Sequence, residues 1–305
     1  DNTELYKFIK QILWFLSLLL VINVCLFSLL KEANYYSNYE KIDGNCSTYL
    51  LSDSHGAVFR NILIEVGICN FLFNADSYID IERKLKYLIN NSSVSQVILT
   101  ADNHSLSKYR FIGSNTDRSS FYTEVGDYSN SFRYAREKYI NKYIPMLNAR
   151  SRSVTRLFLV SMVRREYASI VNKSQNLSAK QLSWHELSKK KQSILMDKRA
   201  KTQFPNNNIS SELLSSLANI ISLCRNNSIE LIGLKFPLFE DYYSLINDKG
   251  FKVDSLLKSN GITVIDYSKL FFKNDNYFTD PDHLNEEGVK AMLGTLKANF
   301  EKYDY

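Results

Sequence analysis

From Ile12 to Leu30 the chain reads ILWFLSLLLVINVCLFSLL, without one charged residue. As a helix rising 1.5 Å per residue this run spans about 30 Å, the thickness of a hydrocarbon core. Beyond it the pattern changes. Five short apolar, β-branched runs follow: Thr48–Ser52, Cys69–Phe73, Val94–Thr100, Ile229–Phe236 and Ile262–Tyr267. Between most of them lie stretches of helical spacing, Val58–Val66, Tyr78–Ile89, Ser211–Cys224 and Tyr242–Lys258, and a last helix is expected from about Glu286 to Phe300, with Asn285 as its N-cap. Strands alternating with helices predict right-handed βαβ units and a parallel sheet covered on both faces. The unbroken apolar run Val97-Ile98-Leu99 suits a strand buried on both sides.

The first apolar run reads as a retained single-pass anchor. A signal peptide has a shorter apolar core and a small-residue cleavage site, which Leu29-Leu30-Lys31-Glu32 does not offer. The first residue is Asp rather than Met, so an upstream continuation is expected. Lys7 and Lys10 precede the run and Lys31 follows it, a slight bias that puts the N-terminus inside and the body outside. The expected organisation is a cytoplasmic N-terminus over 1–11, a transmembrane anchor over 12–30, a linker over 31–45 and an α/β domain over 46–305. About a hundred residues, 105–208, interrupt the strand pattern, too many for a βα connection. They read as a helical insertion.

Charge is concentrated in that insertion. The chain of 305 residues carries a net +6, yet 105–208 holds 20 Lys/Arg against 7 Asp/Glu, and the remainder holds 18 against 25. A solvated charged face is the plain reading. Attraction to anionic headgroups and docking to a membrane partner or an anionic glycan are the others. On the latter two, Arg150, Arg152, Arg156, Arg164 and Arg165 are expected to gather on a membrane-proximal or partner-facing side. No nucleic-acid-binding motif is present, and none is expected for a body outside the membrane. Outside the anchor the cysteines are Cys46, Cys69 and Cys224, with no CxxC pair and no metal-ligand spacing among them and the four histidines. Neither a metal nor a cofactor is expected. Cys46 and Cys69, near the starts of two neighbouring strands, read either as one disulfide or as buried free thiols.

Two short blocks carry candidate chemistry. Ser52-Asp53-Ser54-His55 closes the first apolar run and places Ser54 on a strand-to-helix turn, and Asp280-Pro281-Asp282-His283 stands just ahead of the last helix. A serine hydroxyl becomes a nucleophile when an imidazole takes its proton and a carboxylate holds that imidazole in the right tautomer. Ser54, His283 and Asp280 supply those roles, with Asp282 competing for the last. Ser and Asp after a strand also serve as helix N-caps, the role expected of Asp53. His55 and His104 are possible neighbours of the site; His185, beside Trp184, reads as packing or surface.

The Asp-Ser-His block and the Asp-x-x-His-Leu-Asn-x-x-Gly block resemble the first and last blocks of the SGNH (GDSL-type) hydrolases and acyltransferases, with Ser52 where glycine usually stands. The resemblance implies a three-layer, flavodoxin-like parallel sheet and an acyl-Ser54 intermediate. It also implies an oxyanion hole of three donors: the Ser54 backbone N–H, a backbone N–H after the second strand (Ala75 or Asn74), and an asparagine after the third strand. Asn103 is the candidate for that asparagine, with Asp102 as the register-shifted alternative. The anchor and insertion are similar to SGNH-like proteins that O-acetylate cell-surface polysaccharides beside a multi-pass O-acyltransferase membrane protein. That likeness implies an extracytoplasmic serine acyltransferase, single-pass in the cell membrane, acting on a glycan. An esterase or deacetylase of the same fold and a non-catalytic scaffold in a polysaccharide assembly complex are the alternatives.

Overall fold

The computed structural model describes residues 2–42, 46–59, 62–148, 150–151, 153–157, 159–161, 183–205 and 208–300. The chain divides into two compact units, Asp1–Lys41 with Asp117–Lys180, and Ile42–Thr116 with Gln181–Tyr305. The stretch 105–208, expected as one insertion, is therefore shared. Its two ends belong to the second unit because they pair with each other. The Ser107 hydroxyl donates to the Gln203 carbonyl at 2.5 Å, the Ser210 N–H donates to the Leu106 carbonyl at 2.9 Å, and Ser107 forms an antiparallel bridge with Ile209.

The second unit is built on five parallel strands, β1 (Thr48–Leu51), β2 (Ile68–Asn70), β3 (Gln96–Thr100), β4 (Glu230–Lys235) and β5 (Thr263–Asp266), in the order β2-β1-β3-β4-β5. This is the flavodoxin-like order, in which the direction of winding reverses between β1 and β3 and opens a crevice at their carboxyl ends. Tyr49, Leu50 and Leu51 in β1 and Val97, Ile98 and Leu99 in β3 are all buried, as unbroken apolar strands between two helical layers should be. Helices Tyr78–Asn91 and Ser211–Asn226 cover one face together. A small antiparallel pair, β6 (Phe278–Asp280) and β7 (His283–Leu284), precedes the last helix, Glu286–Phe300. Asn285 caps that helix, its side-chain oxygen accepting from the Gly288 N–H at 3.0 Å. Cys46 and Cys69 are joined in a disulfide that ties the entrance of β1 to β2.

Two helical stretches are more broken than their spacing predicts. In place of Val58–Val66 there is one short helix, Ser54–Ala57, and a 3₁₀ turn, Leu63–Val66, which Gly67 ends at a left-handed φ of 73°. Tyr242–Lys258 divides into Glu240–Ile246 and Val253–Ser259. The break lies where the chain dips to the end of β3. The Phe251 N–H donates to the Asn103 carbonyl at 3.2 Å, and Lys252 turns through a left-handed φ of 52°.

The first unit contains the helix Asn2–Glu32, which is long and apolar enough to cross a membrane, a test that a signal sequence near the N-terminus also passes. Residues just past its end are held by the later segment. The Tyr122 hydroxyl donates to the Tyr39 carbonyl at 2.5 Å, Lys142 pairs with Glu40 at 2.6 Å, and the Arg118 guanidinium lies 4.7 Å from both the Tyr35 and Tyr39 rings. Arg150 faces Asp117 at 3.7 Å within this unit, and Arg156 is exposed. Arg152, Arg164 and Arg165 lie outside the described residues.

Candidate active site

β1 delivers the Ser52–His55 block to the crevice, and a tight turn follows. The Asp53 carboxylate accepts the His55 N–H at 2.9 Å and so caps the helix Ser54–Ala57. Gly56 is required here. A Cβ at that position would stand 2.7 Å from Leu72 Cδ2 and 2.8 Å from the Ser52 Cβ. Opposite the turn, the β6–β7 pair presents Asp280 and His283. Asp280 braces its own hairpin, accepting the backbone N–H groups of Asp282 at 3.0 Å and His283 at 2.9 Å.

The three side chains form one hydrogen-bonded series. His283 Nε2 lies 2.9 Å from Ser54 Oγ. Its Nδ1 lies 2.9 and 3.0 Å from the two oxygens of Asp280. With Nδ1–H donated to Asp280, Nε2 carries the lone pair and faces the hydroxyl, the tautomer a general base needs. A second carboxylate reaches the same ring, Asp282 Oδ1 at 3.2 Å from Nδ1. Asp282 is buried and held from behind by residues far away in sequence. Arg199 Nε and a terminal nitrogen each lie 3.0 Å from its Oδ2, and the Gln203 amide donates to the same oxygen at 2.5 Å. Both partners stand on the helix Lys189–Gln203.

Electrostatics follow from these contacts. Burial opposes ionisation of Asp282, yet its hydrogen bonds to His283 and His55 and the charges nearby hold it well below the usual carboxylate range. Asp53 is likewise held well below that range, burial being outweighed by the Arg110 guanidinium 2.9 Å away and by His55. For His283, burial works against protonation, and the hydrogen bonds to Asp280 and Asp282 outweigh it, leaving the ring above its ordinary value.

The hydroxyl of Ser54 opens into a cleft of about 450 Å³ lined by Ala57, Val58, Phe73, Asn74, Thr279, Asp280, His283 and Leu284. Asn103, expected in this cleft, lies elsewhere. Its carboxamide packs on Gly250, and it lines a cavity the size of one water, about 10 Å³, with His55, Asp102, His104 and Asp282. Successive side chains at a strand end point to opposite sides, and Asp102 has taken the side that faces His55. Asn74 lines the Ser54 cleft instead. Asn115 pins the turn beneath it, donating to the Asn74 carbonyl at 2.9 Å and to Asp76 at 2.7 Å. Ala75 is not part of the cleft wall; its φ of 68° puts it in the left-handed region, where glycine is at ease and an alanine is strained. His55 and His104 both lie behind the dyad, and His185 is exposed beside buried Trp184.

Two sets of side chains, His55/Asp282/His283 and Asp53/His55/Asp102, have ligand-type atoms within 4.8 Å of one another. In both, a guanidinium already occupies a carboxylate, Arg199 on Asp282 and Arg110 on Asp53. A metal ion would stand beside those cations, so these are hydrogen-bonded clusters rather than a metal cage.

No family model and no curated protein matches the sequence. Among solved structures, the chain is similar to a GDSL-like lipase from Bacteroides thetaiotaomicron, with 10% identity and a TM-score of 0.41 over 91% of this chain and 99% of that one. It is also similar to a candidate acylhydrolase from Bacteroides fragilis, with 10% identity and a TM-score of 0.39 over 89% and 96%. At that distance neither neighbour speaks to the chemistry of this site.

Proposed function

We propose that this protein is a serine-dependent acyl-transfer enzyme that works through an acyl-Ser54 intermediate. The observation that carries the reading is the unbroken series Ser54–His283–Asp280, with both junctions at 2.9 Å. His283 Nε2 takes the Ser54 proton as Oγ attacks an acyl carbonyl, and the leaving alcohol receives that proton. Asp280 and Asp282, both facing Nδ1, stabilise the imidazolium. The Ser54 N–H and Asn74 are the proposed donors to the oxyanion. Ala57, Val58, Phe73 and Leu284 give the cleft an apolar wall suited to a small acyl group. A second proton transfer through His283 activates the acceptor. With water this is an ester hydrolysis, and with a sugar hydroxyl it is an O-acylation.

We favour the transferase, acting on a cell-surface glycan from the outer side of a membrane and supplied by a multi-pass acyl-exporting partner. Its support is the apolar helix Asn2–Glu32, which suits an anchor, and the Cys46–Cys69 disulfide, which suits an oxidising compartment. The open cleft suits an esterase equally well. A serine-directed phosphonate is the direct test. It should label the full chain at Ser54, and Ser54→Ala and His283→Ala should each abolish labelling. Undiminished labelling of Ser54→Ala would end the proposal. Supplying a glycan acceptor should then divert acyl groups from water to sugar if the enzyme is a transferase.

A further inference from the structure

His55 follows the nucleophile in sequence and takes no part in the series just described. Its side chain is 1% exposed, and both ring nitrogens face carboxylates. Nδ1 lies 2.7 Å from Asp102 Oδ2, and Nε2 lies 3.4 Å from Asp282 Oδ2. An ionised carboxylate only accepts hydrogen bonds, and a neutral imidazole donates from one nitrogen alone. A neutral His55 would therefore aim a lone pair at one of the two carboxylates. A ring protonated at both nitrogens satisfies both.

Charge balance leads to the same state. Asp53, Asp102 and Asp282 are buried together. Arg110 stands 2.9 Å from Asp53 and Arg199 3.0 Å from Asp282. Among the described ion pairs Asp102 has no Arg or Lys; its cation is His55. Lys235 lines the same small cavity, but its partners are Asp266 at 3.4 Å and Asp254 at 3.9 Å. Asp102 is otherwise occupied as an acceptor, from the Phe236 N–H at 3.0 Å and the Thr100 hydroxyl at 3.2 Å. The remaining neighbour is His104, edge-on to His55 at 5.0 Å and 3.4 Å from Asp53. Two imidazolium rings at that separation repel. Burial, and then the charge of His55, push His104 below its ordinary value, so His104 is the neutral one.

We propose that His55 is a standing imidazolium and a positioning residue for His283, which it keeps in the deprotonated form that accepts the Ser54 proton. The need for such a group lies in the site itself. His283 meets Asp280 and Asp282 from its own hairpin, Ser54 from the turn after β1 and the edge of His55 at 4.9 Å. Two carboxylates on one nitrogen favour a protonated ring, which is useless as a base. A fixed positive charge 4.9 Å from the ring counters them, and through Nε2 it also holds Asp282 in place. Burial alone would depress His55, but Asp53 and Asp102 outweigh it and hold the ring well above the ordinary imidazole range.

The role in catalysis rests on the acyl-transfer reading of Ser54; the protonation state does not. With four histidines in the chain, ¹⁵N-histidine NMR of the full-length protein in lipid nanodiscs can read each ring, assigned by replacing the histidines one at a time. The expected spectrum has one histidine doubly protonated from pH 5.5 to pH 8.5, absent from His55→Gln. A His55 ring found as a neutral tautomer at pH 7 overturns the proposal. The kinetic arm uses Asp102→Asn, which removes one side of the clamp while keeping its shape. Ser54-dependent ester turnover should then show its acidic limb moved to higher pH by about one unit or more. A purely structural role would lower turnover at all pH values alike, and an unmoved limb in an active variant overturns the proposal. If the wild type shows no Ser54-dependent turnover, the acyl-transfer reading fails instead, and the NMR result alone decides the state of His55.

Discussion

At the end of β3 two neighbouring side chains compete for the place that faces His55, and only one of them can have it. Asp102 faces inward and binds His55, so Asn103 is turned onto Gly250. Asn74, from the turn after β2, is left beside Ser54. Asn74→Ala should lower turnover about 10²–10³-fold with an unchanged melting temperature, as loss of a single oxyanion donor does. Asn103→Ala should leave turnover close to wild type. Steady-state kinetics on the two variants decides the matter, and the opposite ranking would return the donor role to Asn103. Ser54, Asp280 and His283 could be singled out in the sequence by their types, order and spacing, and the structure brings the three side chains within hydrogen-bond distance. Asn103 was misplaced because choosing between adjacent residues needs the strand's register, which composition does not carry. His55 was expected only as a possible neighbour of the site; its ring comes within 4.9 Å of His283, because the hairpin brings His283 over the turn. Arg199 and Gln203 could not have been found. They lie 83 and 79 positions from Asp282, in a stretch that read as a charged decoration.

At the scale of elements, the apolar runs located all five parallel strands to within a few residues; burial leaves a nearly unbroken signature in β1 to β4, and edge strand β5, with no buried residue, is marked by its β-branched residues instead. The helices fared unevenly. Tyr78–Asn91, Ser211–Asn226 and Glu286–Phe300 match their spacing, whereas Tyr242–Lys258 hid a break that a tertiary contact with Asn103 imposes. The β6–β7 pair was invisible because it is three and two residues long. The turn after β1 offers a test at this scale. Gly56→Ala puts a methyl group against Leu72 and Ser52, both buried. Overpacking of this kind costs about 1–3 kcal/mol, and it should displace Ser54 as well. Chemical denaturation should show the loss, with phosphonate labelling falling in parallel. A fully stable, fully labelled Gly56→Ala would mean that the turn has slack which the geometry denies.

For the molecule as a whole, the buried charges set how stability responds to pH. Asp53 and Asp282 titrate below their unfolded value of about 3.9. Their contribution is therefore complete above about pH 4 and drains away as pH falls through the folded values. His55 has the opposite sign. Held above about 6.5, it contributes fully below that pH and less as pH rises through its folded value. Asp76, raised by burial despite Lys84 at 2.6 Å, runs against the acid trend. Thermal melts should peak between about pH 4 and 6.5. Asp282→Asn should melt lower throughout but fall less steeply in acid; an equally steep fall would remove Asp282 from the account. The site also has an order in time. Ser54 and His283 are 229 residues apart, and at about 5–20 residues per second the ribosome adds His283 roughly ten to fifty seconds after Ser54. Until then Ser54 is an ordinary alcohol. On the acyl-transfer reading, a chain that stalls or is cleaved before Asp280 and His283 are made has a Ser54 without its base, so Ser54-dependent activity waits for the segment that carries both.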